Sequence, residues 1–167
     1  MIQPEGIPME KSWVDKISGE SKWFRASQLE KEGRLEEALI LYLEEAEEKA
    51  GESPGLSALS MLSAAKCATK LGRHEEARRY FKQAGERYES YGDSVISISP
   101  NSSAWAYKMA ARCYEWAGDR ESANRLLKKA ESLLEKVGEQ AEKYLPLFKP
   151  YIPKRKKERN EDESANA

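Results

Sequence analysis

The sequence predicts an all-α fold, an array of three antiparallel helix pairs followed by a terminal capping helix. Three observations predict it. The chain repeats itself three times, each copy divides at a glycine, and apolar residues on both sides of that glycine recur at helical spacing. The segment Ala64 to Gly92 aligns without a gap on Ala110 to Gly138, with Ala65, Cys67, Gly72, Glu75, Ala77, Arg79, Lys82, Ala84 and Glu89 among the residues that recur unchanged. A third copy lies upstream from Trp23 to Ala50, where Gly33 to Ala38 matches Gly72 to Ala77.

Within each copy the helices are legible in turn. Before Gly118, Trp105, Met109, Cys113 and Trp116 fall at intervals of three and four. After it, Ala123, Leu126, Leu127, Ala130, Leu133, Leu134 and Val137 form an apolar stripe. The second copy repeats the stripe with Ala77, Tyr80, Phe81, Ala84, Tyr88 and Tyr91, and the first with Leu35, Ala38, Leu39, Tyr42, Ala46 and Ala50. Gly33, Gly72 and Gly118 each need a left-handed conformation to turn the chain, which glycine adopts without a side-chain clash. Asp119 suits the cap of the following helix. Alanine stands seven residues before each turn glycine (Ala26, Ala65, Ala111) and five after it (Ala38, Ala77, Ala123). Across a short turn those positions face each other, and small side chains there let the two helices approach closely.

These features divide the chain into an N-terminal segment 1–19, a repeat domain 20–149 and a charged tail 150–167. The pairs are expected at about 20–50, 54–92 and 101–137, with linkers Gly51 to Gly55 and Asp93 to Ser102. Ser94 to Ser99 alternates with period two, but Pro100 ends it and no partner strand exists, so a packed loop is expected there. An amphipathic piece at 138–149, with Ala141, Tyr144, Leu145 and Phe148, is expected to cap the last repeat. In the N-terminal segment, Trp13, Val14 and Ile17 suit either a short helix capping the first repeat or a dock on a partner. From Lys154 onward no apolar residue exceeds alanine, which predicts disorder.

Composition narrows the function. Of 167 residues, 40 % are apolar and 34 % charged, with net charge −1, so no overall field favours nucleic acid. No apolar run approaches a membrane span, and the first twenty residues lack the pattern of a signal peptide, so a cytoplasmic protein is expected. Cys67 and Cys113 sit within helical patterns and are expected to act as small buried apolar groups. The single histidine, His74, opens a helix and reads as a surface residue. No nucleophile and base, phosphate loop or metal-ligand cluster can be assembled, so neither catalysis nor a cofactor is expected. The run Glu44-Glu45-Ala46-Glu47-Glu48 reads as a solvated helix face.

The spacing of alanine, turn glycine and alanine, with a large apolar residue nine after the glycine (Tyr42, Phe81, Leu127) and a further alanine twelve after it (Ala84, Ala130), resembles the tetratricopeptide repeat (TPR) superfamily. The resemblance covers Trp23 to Gly138. The turn glycines are spaced more widely than that family's period of about 34 residues. The closing proline of each repeat is absent, and Glu45 stands where alanine is expected. Such longer, irregular pairs are more similar to the soluble NSF attachment protein (SNAP-like) subgroup, a group with adaptor roles. The resemblance implies a right-handed superhelix whose first helices line a concave groove for a protein partner. By family position, Trp23, Lys66, Lys70, Trp105, Lys108 and Arg112 would make a basic channel with aromatic anchors, suited to an acidic or C-terminal peptide. The competing reading makes Trp105 core and the lysines solubilising charge. The chaperone-tail clamp of some relatives needs an asparagine six residues before the turn glycine, where Ser27, Lys66 and Arg112 stand here.

Two other roles compete with an adaptor: a structural subunit of a larger assembly, or contact with nucleic acid or anionic lipid through Lys154 to Lys157. That basic run also resembles a nuclear import signal, which applies only to a eukaryotic source. The acidic Glu161 to Glu163 beyond it offsets its charge, and a solubilising tail is the simpler reading.

Overall fold

A computed structural model of the protein describes residues 21–144. They form six α-helices and no strand: α1 (Lys22–Lys31), α2 (Leu35–Glu48), α3 (Pro54–Lys70), α4 (His74–Val95), α5 (Pro100–Trp116) and α6 (Arg120–Tyr144). No helix among them is long and apolar enough to cross a membrane. The expectations for segment 1–19 and tail 150–167, including Lys154 to Lys157, lie outside the described residues.

The three turns are built alike. Gly33, Gly72 and Gly118 have φ of 78°, 75° and 86°. After each, the next residue's amide closes back five residues: Arg34 to Leu29 at 2.9 Å, Arg73 to Ala68 at 2.9 Å and Asp119 to Tyr114 at 2.8 Å. This satisfies carbonyls that the helix end would otherwise orphan. Asp119 Oδ1 then accepts from the Ser122 amide at 3.1 Å, capping α6. The facing alanines are all buried, so each pair closes on small side chains as expected.

Packing is sequential, each helix resting chiefly on its neighbours in the chain. Cys67, near the end of α3, donates to the Leu35 carbonyl at the start of α2. Ser57, at the start of α3, donates to the Ala46 carbonyl near the end of α2. Those two helices therefore run antiparallel, and the Ser103 bond to the Gly92 carbonyl repeats the arrangement for α5 and α4. Side-chain contacts between alternate helices define two layers. On one face α1 meets α3 (Lys70 to Glu30, 2.5 Å) and α3 meets α5 through Lys66 and Trp116. On the other, α2 meets α4 (Arg73 to Glu36, 2.6 Å; Arg87 to Glu47, 2.5 Å) and α4 meets α6 (Arg125 to Glu89, 2.7 Å; Lys129 to Asp93, 2.9 Å). Between the layers runs one core, with Tyr42, Met61, Tyr88, Tyr107 and Leu126 fully buried. Cys67 and Cys113 are free and buried within it, and burial pushes the Cys113 thiol up to about 12.

Several expectations are corrected. No separate capping helix begins at Gly138; α6 runs through that glycine to Tyr144, and a glycine in helical φ costs only about 1 kcal/mol. Leu145 and Phe148 lie outside the described residues. The first linker is shifted to Lys49 to Ser53, and the second is shorter than expected, Ile96 to Ser99. Pro54 and Pro100 sit in the first turn of α3 and α5, where a proline lacks only an amide that would go unpaired. Asp93, Ser94 and Val95 are helical, and Ile98, at 82 % exposed, does not pack. Glu45 is not on a solvated face. It is 1 % exposed, at the position that Ala84 and Ala130 occupy in the later copies, and its Oε1 has no hydrogen-bond partner among the described residues.

Candidate functional site

The first-helix face carries a cleft of about 530 Å³ between α3, the start of α4 and the end of α5. Lys66, Thr69 and Lys70 line one side, and His74, Ala77, Arg78 and Phe81 line the other. Trp116 closes it. Its ring lies 5.2 Å from the Phe81 ring, tilted by 51°, and the residue remains 44 % exposed. Two cations lean over the indole: Lys66 Nζ at 5.6 Å and the Arg112 guanidinium at 6.0 Å from its centre. Cations over an indole face are attracted by the ring quadrupole, which holds both charges beside the cleft.

A second recess of about 440 Å³ adjoins the first along α5, lined by Trp105, Lys108, Met109, Ala111, Arg112, Glu115 and Leu127. Trp105 is not core. It meets the Tyr88 ring edge-on at 5.9 Å and is 53 % exposed, so it presents an apolar plate to solvent. Arg112 lines this recess and leans over Trp116, which closes the first.

The six residues singled out from the sequence divide three ways. Lys66 and Arg112 come together around Trp116, and Trp105, Lys108 and Arg112 share the adjoining recess. Lys66, Lys108 and Arg112 are exposed and form no ion pair among the described residues. Lys70 lines the cleft but is already engaged by Glu30, which also accepts from the Tyr42 hydroxyl at 2.7 Å. Burial alone would raise the Glu30 carboxyl; the bonds from Lys70 and Tyr42 outweigh it and hold the group below its usual range. Trp23 stands apart. Its Nε1 donates to Ser63 at 3.1 Å and its ring lies against Tyr42, so it ties α1 to α3.

Sequence reasoning missed Trp116, Phe81, His74 and Arg78 as lining residues. The one signal for Trp116 was its place one helical turn after Arg112, on the same helix face; the apolar stripe it belongs to gave no sign of its exposure. Among the described residues no three His, Cys, Asp or Glu side chains converge to hold a metal. In comparison with known proteins, the chain matches no family model, no curated protein and no solved structure.

Proposed function

We propose that this protein is a non-enzymatic, cytoplasmic adaptor of tetratricopeptide-like, SNAP-like architecture that binds an acidic or C-terminal peptide of a protein partner, without a cofactor. The observation that carries the reading is the half-exposed Trp116 with two unpaired cations, Lys66 and Arg112, over its ring at the edge of an open cleft. An indole supplies contact area at low entropy cost, and a guanidinium supplies bidentate pairing with a carboxylate. A right-handed superhelix would make this face concave, so that Trp105 and Lys108 extend the surface along a bound chain. The mechanism is passive recognition by a preformed surface, which spends little free energy on ordering.

The test is a fluorescence titration with short peptides ending in two or three carboxylates. The expected result is saturable quenching, weakened at least about tenfold (roughly 1.4 kcal/mol) in the Lys66→Glu/Arg112→Glu variant, with helical circular dichroism unchanged. Equal affinity for both proteins would move the site off this cleft.

A further inference from the structure

The outer face of α6 repeats the outer face of α4, and among the described residues only that of α4 is covered. In the repeat alignment Phe81, Tyr88, Glu89, Gly92 and Asp93 correspond to Leu127, Leu134, Glu135, Gly138 and Glu139. On α4 each position has its partner. Trp116 lies on Phe81 and Trp105 on Tyr88. The Tyr107 ring sits so close over Gly92 that a Cβ there would come within 2.7 Å of it. Arg125 pairs with Glu89 through two bonds, at 2.7 and 3.1 Å, and Lys129 pairs with Asp93 at 2.9 Å. On α6 the same positions are open. Leu127 is 41 % exposed and Leu134 half-buried. A Cβ on Gly138 would meet nothing within 4 Å. Glu135 and Glu139 are exposed and form no ion pair among the described residues.

We propose that the outer face of α6 docks a helical hairpin of a partner protein, whose first helix lays an aromatic ring on Gly138 and whose second helix presents two cations four residues apart to Glu135 and Glu139.

The partner's chemistry follows from the pieces that complete α4. Gly138 leaves room for a ring at backbone distance, and the flanking Leu127 and Leu134 favour apolar contacts. The carboxylate pair, one helical turn apart, calls for cations at the same spacing, as Arg125 and Lys129 supply to α4. Glu131 replaces Gly85, whose Cβ position lies 3.1 Å from the Tyr114 ring, so the partner needs a small or basic residue there instead of a ring. A second copy of this chain fits poorly. Counted from the turn glycine, its first pair carries Ile40 and Glu44 where Arg125 and Lys129 stand, and Glu44 is itself paired with Lys22, so those two positions offer no cation to Glu135 or Glu139. The surface shares Leu127 with the Trp105 recess but uses neither Lys66 nor Trp116, and the variants at Glu135, Gly138 and Glu139 leave the cleft intact, so the two readings are tested separately.

The probe is a fluorescein-labelled peptide copying residues 100–136 of this chain with Tyr114→Ala, titrated against the full chain. Binding is expected, weakened at least about tenfold by Glu135→Lys/Glu139→Lys and by Gly138→Leu. A peptide carrying Arg125→Glu and Lys129→Glu should then recover affinity for the reversed chain. Equal binding to wild type and reversed chain would overturn the proposal, as would no binding at all. Binding that appears only after removal of residues 145–167 would assign the face to the chain's own following segment. Self-association abolished by Glu135→Lys/Glu139→Lys would assign it to a second copy. Either result overturns the partner reading.

Discussion

Gly92 and Gly138 are the same residue in two copies of one repeat, and substitution by alanine should move stability in opposite directions. Alanine in a helix interior is favoured over glycine by about 0.5–1 kcal/mol, through backbone entropy. At Gly138 nothing opposes this gain, because the added Cβ enters open space. At Gly92 the Cβ would stand 2.7 Å from Tyr107 Cε1 and 2.9 Å from Cδ1. That ring cannot swing aside freely. It is fully buried, its hydroxyl donates to Asp93 at 2.6 Å, and the Lys129 ammonium lies 4.3 Å above it. Overpacking of this kind costs about 1–3 kcal/mol, which exceeds the helix gain. Gly92→Ala should therefore lower stability by about 1–2 kcal/mol while Gly138→Ala raises it by up to about 1 kcal/mol. Urea unfolding of the full chain at 25 °C, followed by circular dichroism, measures both, with the slope unchanged if only stability moves. Two variants shifted in the same direction by similar amounts would refute the close approach of Tyr107 to α4.

Neighbouring leucines on α6 supply a second contrast. Leu126 is fully buried, so Leu126→Ala should cost about 2–5 kcal/mol, whereas Leu127→Ala, at an open position, should cost less than about 1 kcal/mol in the same urea assay. Glu45→Met keeps the volume of a buried side chain and removes an oxygen without a partner, so thermal unfolding should shift upward by the equivalent of roughly 1 kcal/mol; a downward shift would show that the carboxylate holds a stabilising contact. Acid sensitivity follows from Asp93 and Glu30. Burial alone would raise Asp93, but bonds from Tyr107 and Lys129 outweigh it, so both carboxyls lie below their ordinary values. A depressed carboxyl contributes stability above its unfolded pKa of about 4 and loses it as pH falls through the lower folded value. Stability set by these groups should hold from pH 7 to about 5 and decline below about 4, and Asp93→Asn should flatten that decline.

Much of the fold was legible because local rules decided it. The turn glycines and facing alanines are each demanded by backbone geometry within a few residues, and they stand as read. Positions decided by the next helix pair were not legible. Glu45 was grouped with its acidic neighbours, although its place in the repeat marked it for the interior. Gly138 resembled the turn glycines in type, but among the described residues only Gly33, Gly72 and Gly118 take the left-handed conformation, and α6 continues through Gly138. In the site, Lys66 and Arg112 were found through their charge and their place in the repeat, six residues before a turn glycine. Trp116 was hidden in an apolar stripe, because exposure depends on how far one helix overhangs the last. Trp23 was on the expected layer, yet Ser63 engages its indole, a contact between residues distant in the chain.

The most direct test of the peptide-binding reading is a titration of isotope-labelled protein, observed at the indole N–H signals, with an acidic peptide and its amidated counterpart. The account predicts that the Trp116 and Trp105 signals shift with the acidic peptide alone, while that of Trp23, bonded to Ser63, stays in place. Shifts of the same size with both peptides, or none at Trp116, would contradict it.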